Sequence, residues 1–543
     1  MLLQIKDVAA VASAERAIRE LLGVHAEWFF VQDGGAPLSL ANTEFDFSIA
    51  HRRLIFTSWT ETGSRSWRIT AWEWNGEKLV LAASRRMGAD VATLELVPRA
   101  SAKAIVATIA AARQARCEKL ANVASASLSG AKIERAVLSP GLRRDQPGRY
   151  ARIVLRRLHE RLAVTATVAQ SDARNVDSLF SSALLWFNRV RQSPKRPFIE
   201  RLSMIVERPI LEAARQRHVL LRDELRQRIE LHEIRGSSPI RGPQPGSPAG
   251  VGAVREGLRL NADESREQLE PVRPIARKHL WRRRLARFPP VTEPETTERA
   301  QEIIACAPHA IDVVAARHGQ TLRYYGLPFA RLRRVLDRDR VWFGIEGSRR
   351  RLLDEYYRED WKKLLLDLEE HRNPNASDRR HWLYRAAGEA WLESILRRDI
   401  SKLDPGLIVA PLHAQFRTSH GGAIRAGGAR PIDLLALRHD GRLVVIELKV
   451  NEDREHVFQG VDYWRRVEAH RRRGHISAAK LFGDREISDE SPLVYLVAPT
   501  LRFHSSFATL AKTIAPDVEI YRFDINEDWR RGVRVVRRER VNA

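Results

Sequence analysis

Residues 430–450 read Arg-Pro-Ile-Asp-Leu-Leu-Ala-Leu-Arg-His-Asp-Gly-Arg-Leu-Val-Val-Ile-Glu-Leu-Lys-Val. Two apolar runs flank an Asp-Gly turn, the pattern of a β-hairpin. Asp433, Glu447 and Lys449 interrupt those runs. Charges within a buried strand are costly unless paired or metal-bound, so the three point to an active site holding a divalent cation. The register can be worked out. A two-residue loop at Asp440-Gly441 would set Asp433 against Leu448 and place it on the face opposite Glu447. A three-residue loop of His439, Asp440 and Gly441 pairs Arg438 with Arg442. Asp433 then lies opposite Glu447, with Lys449 two residues further along the same face. Such a loop calls for positive φ at its last position, which glycine adopts without strain. The three-residue loop is therefore the expectation.

The surrounding chain has 543 residues, 44% of them hydrophobic, enough for two to four domains with real cores. Its formal net charge of +24 implies a polyanionic partner, with nucleic acid foremost. Most of the basic residues are arginine, so a lysine at position 449 is not compositional filler. Arginine and lysine also differ in compactness and in how readily they give up a proton. Cys117 and Cys306 stand far apart and form neither a disulfide framework nor a metal-ligand pattern. The 17 histidines include no pair with zinc spacing. A cytoplasmic location is expected, since the N-terminus lacks the basic and apolar regions of a signal peptide. No apolar run approaches membrane-spanning length, so no membrane partner is expected.

Four regions are expected, and the whole reads as a multidomain α+β protein. Residues 1–235 form an α+β region of unknown role. Its strand candidates are 28–31, 45–49, 54–59, 67–74, 79–82, 151–156, 162–169 and 201–207, with helices near 101–121, 175–192 and 209–229. Asn75-Gly76 marks a hairpin. Residues 236–255 are a linker dominated at first by Gly, Pro and Ser, which cannot bury a core. Residues 256–377 are expected to be mainly helical and basic. Within them, Trp281, Leu285 and Phe288 make an apolar stripe on an arginine-covered helix. That helix either contacts phosphate backbones or is simply solvated. Residues 378–543 follow the order αβββαβ and then αβ: helix 381–398, strand 407–416, the hairpin, helix 453–472, strand 493–498, helix 504–514 and strand 518–524. The strand after the turn is apolar on both faces apart from its charges, as a central strand should be.

Phosphodiester hydrolysis needs a nucleophilic water, stabilised charge on phosphate and help for the leaving oxygen, and carboxylate-held divalent metals supply much of this. Magnesium takes oxygen ligands and keeps several waters, so Asp433 and Glu447 suffice if they share a face. The Leu448 backbone carbonyl offers a third oxygen. Lys449 either orients or deprotonates the attacking water, or stabilises the pentacovalent phosphorus. The plainer alternative is a structural ion pair of Lys449 with Asp433 or Glu447.

Pro431-Ile432-Asp433 and Glu447-Leu448-Lys449, with one residue inserted between Pro and Asp, resemble the PD-(D/E)XK nuclease superfamily. The wording around them is similar to its NucS-like and RecB-like branches. The resemblance spans about residues 380–500. It implies a restriction-endonuclease-like α/β core, with a mixed central sheet between helices, and a Mg2+- or Mn2+-dependent nuclease. Gln459 and Tyr463, at i and i+4 on the next helix, look like the extra motif of those branches, which positions nucleic acid and buttresses the site. The resemblance also implies an upstream helical glutamate completing the metal site. Glu389 and Glu393 are the candidates, with Glu393 slightly favoured, and Gln415 is expected nearby. Arg465, Arg466, Arg471–Arg473, Arg502, His504 and Arg530–Arg540 are expected to line a groove for phosphates.

The function expected is a DNA endonuclease of repair, restriction or defence, with protein partners or a homodimer also open. The alternatives are an RNA-cleaving enzyme and a non-catalytic nucleic-acid-binding scaffold. The superfamily fold alone does not decide among them.

Overall fold

A computed structural model describes the chain apart from residues 1, 6, 26, 34–36, 42–44, 61–62, 86–89, 128–130, 142–146, 159, 170–175, 193–198, 236–266, 282–295, 317–318, 336–337, 346–350 and 412–431. The described residues form a multi-sheet α+β protein with four sheets. No helix among them is long and apolar enough to cross a membrane. They divide into two units, Met1–His218 with Arg226–Pro274, and Val219–Leu225 with Ile275–Ala543.

The first unit holds an eight-stranded antiparallel sheet and a six-stranded mixed one. In the first sheet Gly63–Trp74 and Leu79–Arg85 form the hairpin expected from Asn75-Gly76, whose glycine adopts a φ of +90°. The helix Val8–Gly23, capped by Asp7, buries Val11, Ala14 and Ile18 against this sheet. In the second sheet Cys117, Leu120 and Ala124 of the helix Ala102–Ser127 pack on Ile153, Leu155 and Val164. The single helix expected over 209–229 is two helices, Leu211–His218 and Asp223–Arg228. Val219, Leu220 and Leu221 between them are almost fully buried. Leu220 accepts a backbone bond from Ala515, and Leu221 bridges Ile514. Tertiary burial of this apolar triplet overrides the helical propensity of its arginine-rich flanks.

The expected linker at 236–255 lies outside the described residues. The mainly helical middle region is a correction. Ile311–Ala316, Gly319–Tyr324, Leu327–Val335, Arg338–Phe343 and Arg351–Leu352 form a five-stranded antiparallel sheet, with helices Glu298–Cys306 and Arg358–His371. Arginine forms helices well, which disguised alternating strands such as Leu-Pro-Phe-Ala-Arg-Leu-Arg-Arg-Val. The boundary expected at 377/378 also has no counterpart in the packing. Phe329, Leu332 and Val341 share one core with Trp391, Leu392, Ile446 and Val497. Gly326, at φ +77°, turns the hairpin so tightly that a Cβ there would lie 2.0 Å from the Ala390 carbonyl.

The last sheet runs Leu407–Val409, Leu434–Arg438, Leu443–Leu448, Leu493–Pro499, Ile520–Ile525, Val535–Arg540. The first three strands are antiparallel, the next two pairings parallel, and the final pairing antiparallel. Leu443–Leu448 is central and buried throughout. Its faces split cleanly. Val444, Ile446 and Leu448 meet Trp391 and Leu396 of the helix Gly388–Arg398. Leu443 and Val445 meet Tyr463 and Val467 of the helix His456–Arg471. Val535–Arg540, expected only as a basic tail, is the edge strand. Its mostly exposed, charged sequence carries no burial pattern to betray a strand.

The hairpin has the three-residue loop. Leu434 pairs with Ile446 and Leu437 with Leu443. Arg438 N–H donates to Arg442 O at 2.9 Å, and Gly441 N–H to Arg438 O at 2.9 Å. Gly441 has φ +79°, and a Cβ there would lie 2.8 Å from Glu486 O. Gly441→Ala is therefore expected to destabilise the protein by about 1–2 kcal/mol, read as a lower urea midpoint.

Candidate functional site

One step beyond the last paired residues, the register sets Asp433 opposite Glu447. Leu448 N–H donates to Asp433 Oδ2 at 2.8 Å. In an extended strand a residue's N–H and C=O share an edge, so the Leu448 carbonyl also faces the Asp433 side. Asp433 and Glu447 lie on the face covered by the His456–Arg471 helix, and Lys449 follows on that face. Lys449 Nζ donates to Glu447 Oε1 at 2.8 Å and lies 3.8 Å from both Glu389 and Asp453.

The electrostatics follow from burial. Desolvation, then the charge of Glu447, raises Asp433 well above the usual carboxylate range. Burial likewise raises Glu447, against the opposing charge and hydrogen bond of Lys449. For Lys449 burial acts downward, but Glu447, Glu389 and Asp433 outweigh it and keep the ammonium charged. Two facing carboxyls with one ammonium would carry excess negative charge if both ionised, and burial opposes that until a cation or a shared proton offsets it. Glu447 Oε2 is buried and meets no N–H donor among the described residues, and Glu447 lies within side-chain hydrogen-bonding reach of the Asp433 carboxyl, a contact that needs one shared proton. A divalent cation with oxygen ligands fits that donor set. No group of three or more His, Cys, Asp or Glu converges for metal binding among the described residues. Two carboxylates and a carbonyl suit an ion that retains water.

The two candidate glutamates part company. Glu393 is held by Arg397 at 2.7 Å and lies 3.6 Å from Arg323. Arg397 also donates to Asp433 O at 2.8 Å and Ala410 O at 3.0 Å. Glu389, one turn earlier, is the glutamate beside Lys449, and its charge raises Glu447. Glu389, rather than the slightly favoured Glu393, is thus the one placed beside Lys449. The helix start reaches the strand end because Gly388 has no side chain: a Cβ there would lie 2.8 Å from Val450 Cγ2.

Gln459 and Tyr463 are both buried on the covering helix. Gln459 Nε2 reaches Glu455 at 3.4 Å, while its Oε1 is a second buried oxygen without a partner among the described residues. Burial and the charges of Glu447 and Asp433 raise the Tyr463 phenol, so it stays protonated as a wall of the site. Gln415 and Pro431 lie outside the described residues.

The expected groove arginines are largely engaged elsewhere. Arg465 is buried on Asp462 at 2.8 Å, and Arg466 pairs with the same carboxylate. Arg471 and Arg472 pair with Glu468. Arg473 donates to the carbonyls of Ala469 and Trp281. Trp281 itself packs edge-on against Trp464 under Arg472, while Leu285 and Phe288 lie outside the described residues. Arg502 is 4.0 Å from Glu527, and His504 bonds Ser506 at 2.8 Å. Arg530 lies over the rings of Tyr384, Trp391 and Trp529.

Three contributors carried no sequence signal strong enough to find. Arg323 comes from the middle sheet, and Asp453 from the loop after the strand. His456 is the third. Its Nε2 lies 3.2 Å from Glu447 O, and its ring stacks on Phe503 at 5.8 Å. Burial and the charge of Lys449 push His456 down to about 3. A histidine depressed in the fold contributes stability that is full above its ordinary value and lost as pH falls toward the folded one. Wild-type stability should therefore fall between about pH 6.5 and pH 3 more steeply than that of His456→Leu, measured by urea midpoints across that range. Parallel slopes would contradict this.

No family model, no curated protein and no solved structure matches the chain.

Proposed function

We propose that the protein is a metal-dependent phosphodiesterase that cuts nucleic acid, with DNA as its substrate. The observation that carries this reading is the placement of Asp433 and Glu447 on one face beside Lys449, with the two carboxyls within side-chain hydrogen-bonding reach of each other. Asp433, Glu447 and the Leu448 carbonyl would hold Mg2+ or Mn2+, with Glu389 at the margin. A divalent cation held there would supply polarisation of a phosphoryl oxygen and a more acidic bound water.

The protein's own groups divide the remaining work. Lys449, fixed by Glu447 and kept as an ammonium, offers positive charge to the phosphorane rather than a free base. Leu448 N–H holds the Asp433 carboxylate in place. His456 and Arg397 position the backbone of Glu447 and Asp433. Gln459 presents from the covering helix an oxygen without a partner among the described residues, and Tyr463 excludes water. The test is cleavage of single-stranded, duplex, branched and mismatched DNA, and of RNA, with Mg2+ or Mn2+. Cleavage of RNA alone would move the substrate assignment. Cleavage of none would leave a binding scaffold.

A further inference from the structure

The Ile311–Leu352 sheet has two unlike faces. Leu322, Ala330, Leu332, Val341 and Phe343 point into the core shared with the last sheet. On the other face, the register sets Thr321 beside Arg331 and Arg331 beside Trp342, with Arg333 opposite Arg340 one step along. Arg333 and Arg340 are exposed, and Trp342 is partly so. Among the described residues paired on this face only Asp312 is acidic, and Arg323 binds it at 2.7 Å. A part-exposed indole amid arginines combines the two elements that hold an unpaired nucleic-acid strand: cations for phosphates and a ring on which a base stacks. A duplex keeps its bases stacked and offers the indole nothing.

We infer that this face is a docking platform for a single nucleic-acid strand, with Arg333 and Arg340 on its phosphates and Trp342 stacked on a base. The inference rests on the proposed nucleic-acid substrate and goes further, by naming the strand state that binds. Charge complementarity identifies the occupant, since the chain carries +24 overall. The platform also joins the candidate site through side chains. Arg323, two residues along from Thr321 on the same face, lies 3.6 Å from Glu393, which Arg397 ties to the carbonyl of Asp433.

The experiment measures fluorescence anisotropy of labelled single-stranded and duplex oligonucleotides with the full chain in EDTA, over a series of salt concentrations. Arg333→Gln with Arg340→Gln should weaken single-strand binding and lower the salt slope by roughly 1.4, two phosphate contacts at ~0.7 each. Trp342→Ala should weaken it roughly tenfold while leaving duplex affinity unchanged, and Trp342→Phe should retain binding. All three changes fall on exposed or part-exposed positions, and equal thermal midpoints would verify folding. Single-strand affinity unaltered by these variants overturns the platform, as does no binding by the wild type, or equal loss on duplex in Trp342→Ala. Omitting metal separates the two readings. A chain that binds through the platform but never cuts removes the nuclease reading alone. A chain that cuts but ignores these substitutions removes the platform alone.

Discussion

Asp433→Asn and Glu447→Gln should each abolish metal-dependent cleavage, by on the order of a thousandfold or more, while leaving the fold intact. A bound divalent cation supplies several kcal/mol of transition-state stabilisation, and about 4 kcal/mol corresponds to roughly a thousandfold in rate. Both replacements keep the shape and the local bonds. Asparagine retains an oxygen for Leu448 N–H, and glutamine one for Lys449. Asp433→Asn also removes a carboxyl whose ionisation the Glu447 charge opposes. The metal-free thermal midpoint should therefore hold or rise in Asp433→Asn, because relief of like charge is stabilising, whereas Glu447→Gln, which removes the carboxylate paired with buried Lys449, should lower it without unfolding the protein. Retained cleavage by either folded variant, or a fall in the midpoint of Asp433→Asn, would contradict this. Glu389→Gln should lower the rate more than Glu393→Gln when each variant is compared at equal folded fraction, since Glu389 is the one beside Lys449.

Arg372→Met should destabilise the second unit by about 4 kcal/mol. The side chain is fully buried and has no carboxylate partner among the described residues. Instead Nε and the two terminal nitrogens donate to the carbonyls of Tyr324, Tyr325, Leu383 and Ala386, at 2.7–2.8 Å. The guanidinium lies 4.7 Å from the Trp391 ring centroid. Burial, with the nearby charge of Arg530, lowers it to about 9. Removal strands four buried acceptors, each costing ~1–3 kcal/mol, of which relaxation and water entry recover part. These carbonyls tie the tip of the middle hairpin to the segment entering the Gly388–Arg398 helix. Arg372→Lys should also be harmful, because one ammonium cannot reproduce a planar fork. Urea midpoints measure the loss, and a change under about 1 kcal/mol would contradict the role.

The hairpin was legible because strand periodicity is strict. Gly441 fixed the loop length, and the loop length fixed which side of the sheet Asp433 takes. The central strand was equally readable, as its apolar run has no solvent face. Elements shaped by distant packing were not. The middle sheet was hidden by arginines that suit helices, and its burial against Trp391 is set by residues some sixty positions away, roughly Phe329 to Trp391. The edge strand Val535–Arg540 shows only charge. Helical spacing gave Glu389 and Glu393 the same face but could not reveal that Arg323, from another sheet, draws Glu393 away. Charge composition suggested an arginine groove around Arg465 and Arg471, yet Asp462 and Glu468 on the same helix occupy those side chains.

Titration calorimetry with Mn2+ on the full chain measures whether Asp433 and Glu447 together bind a divalent cation. One site is expected in the wild type, lost in both Asp433→Asn and Glu447→Gln and kept in Glu393→Gln. No binding at millimolar Mn2+, or binding unaltered by the first two substitutions, would contradict it.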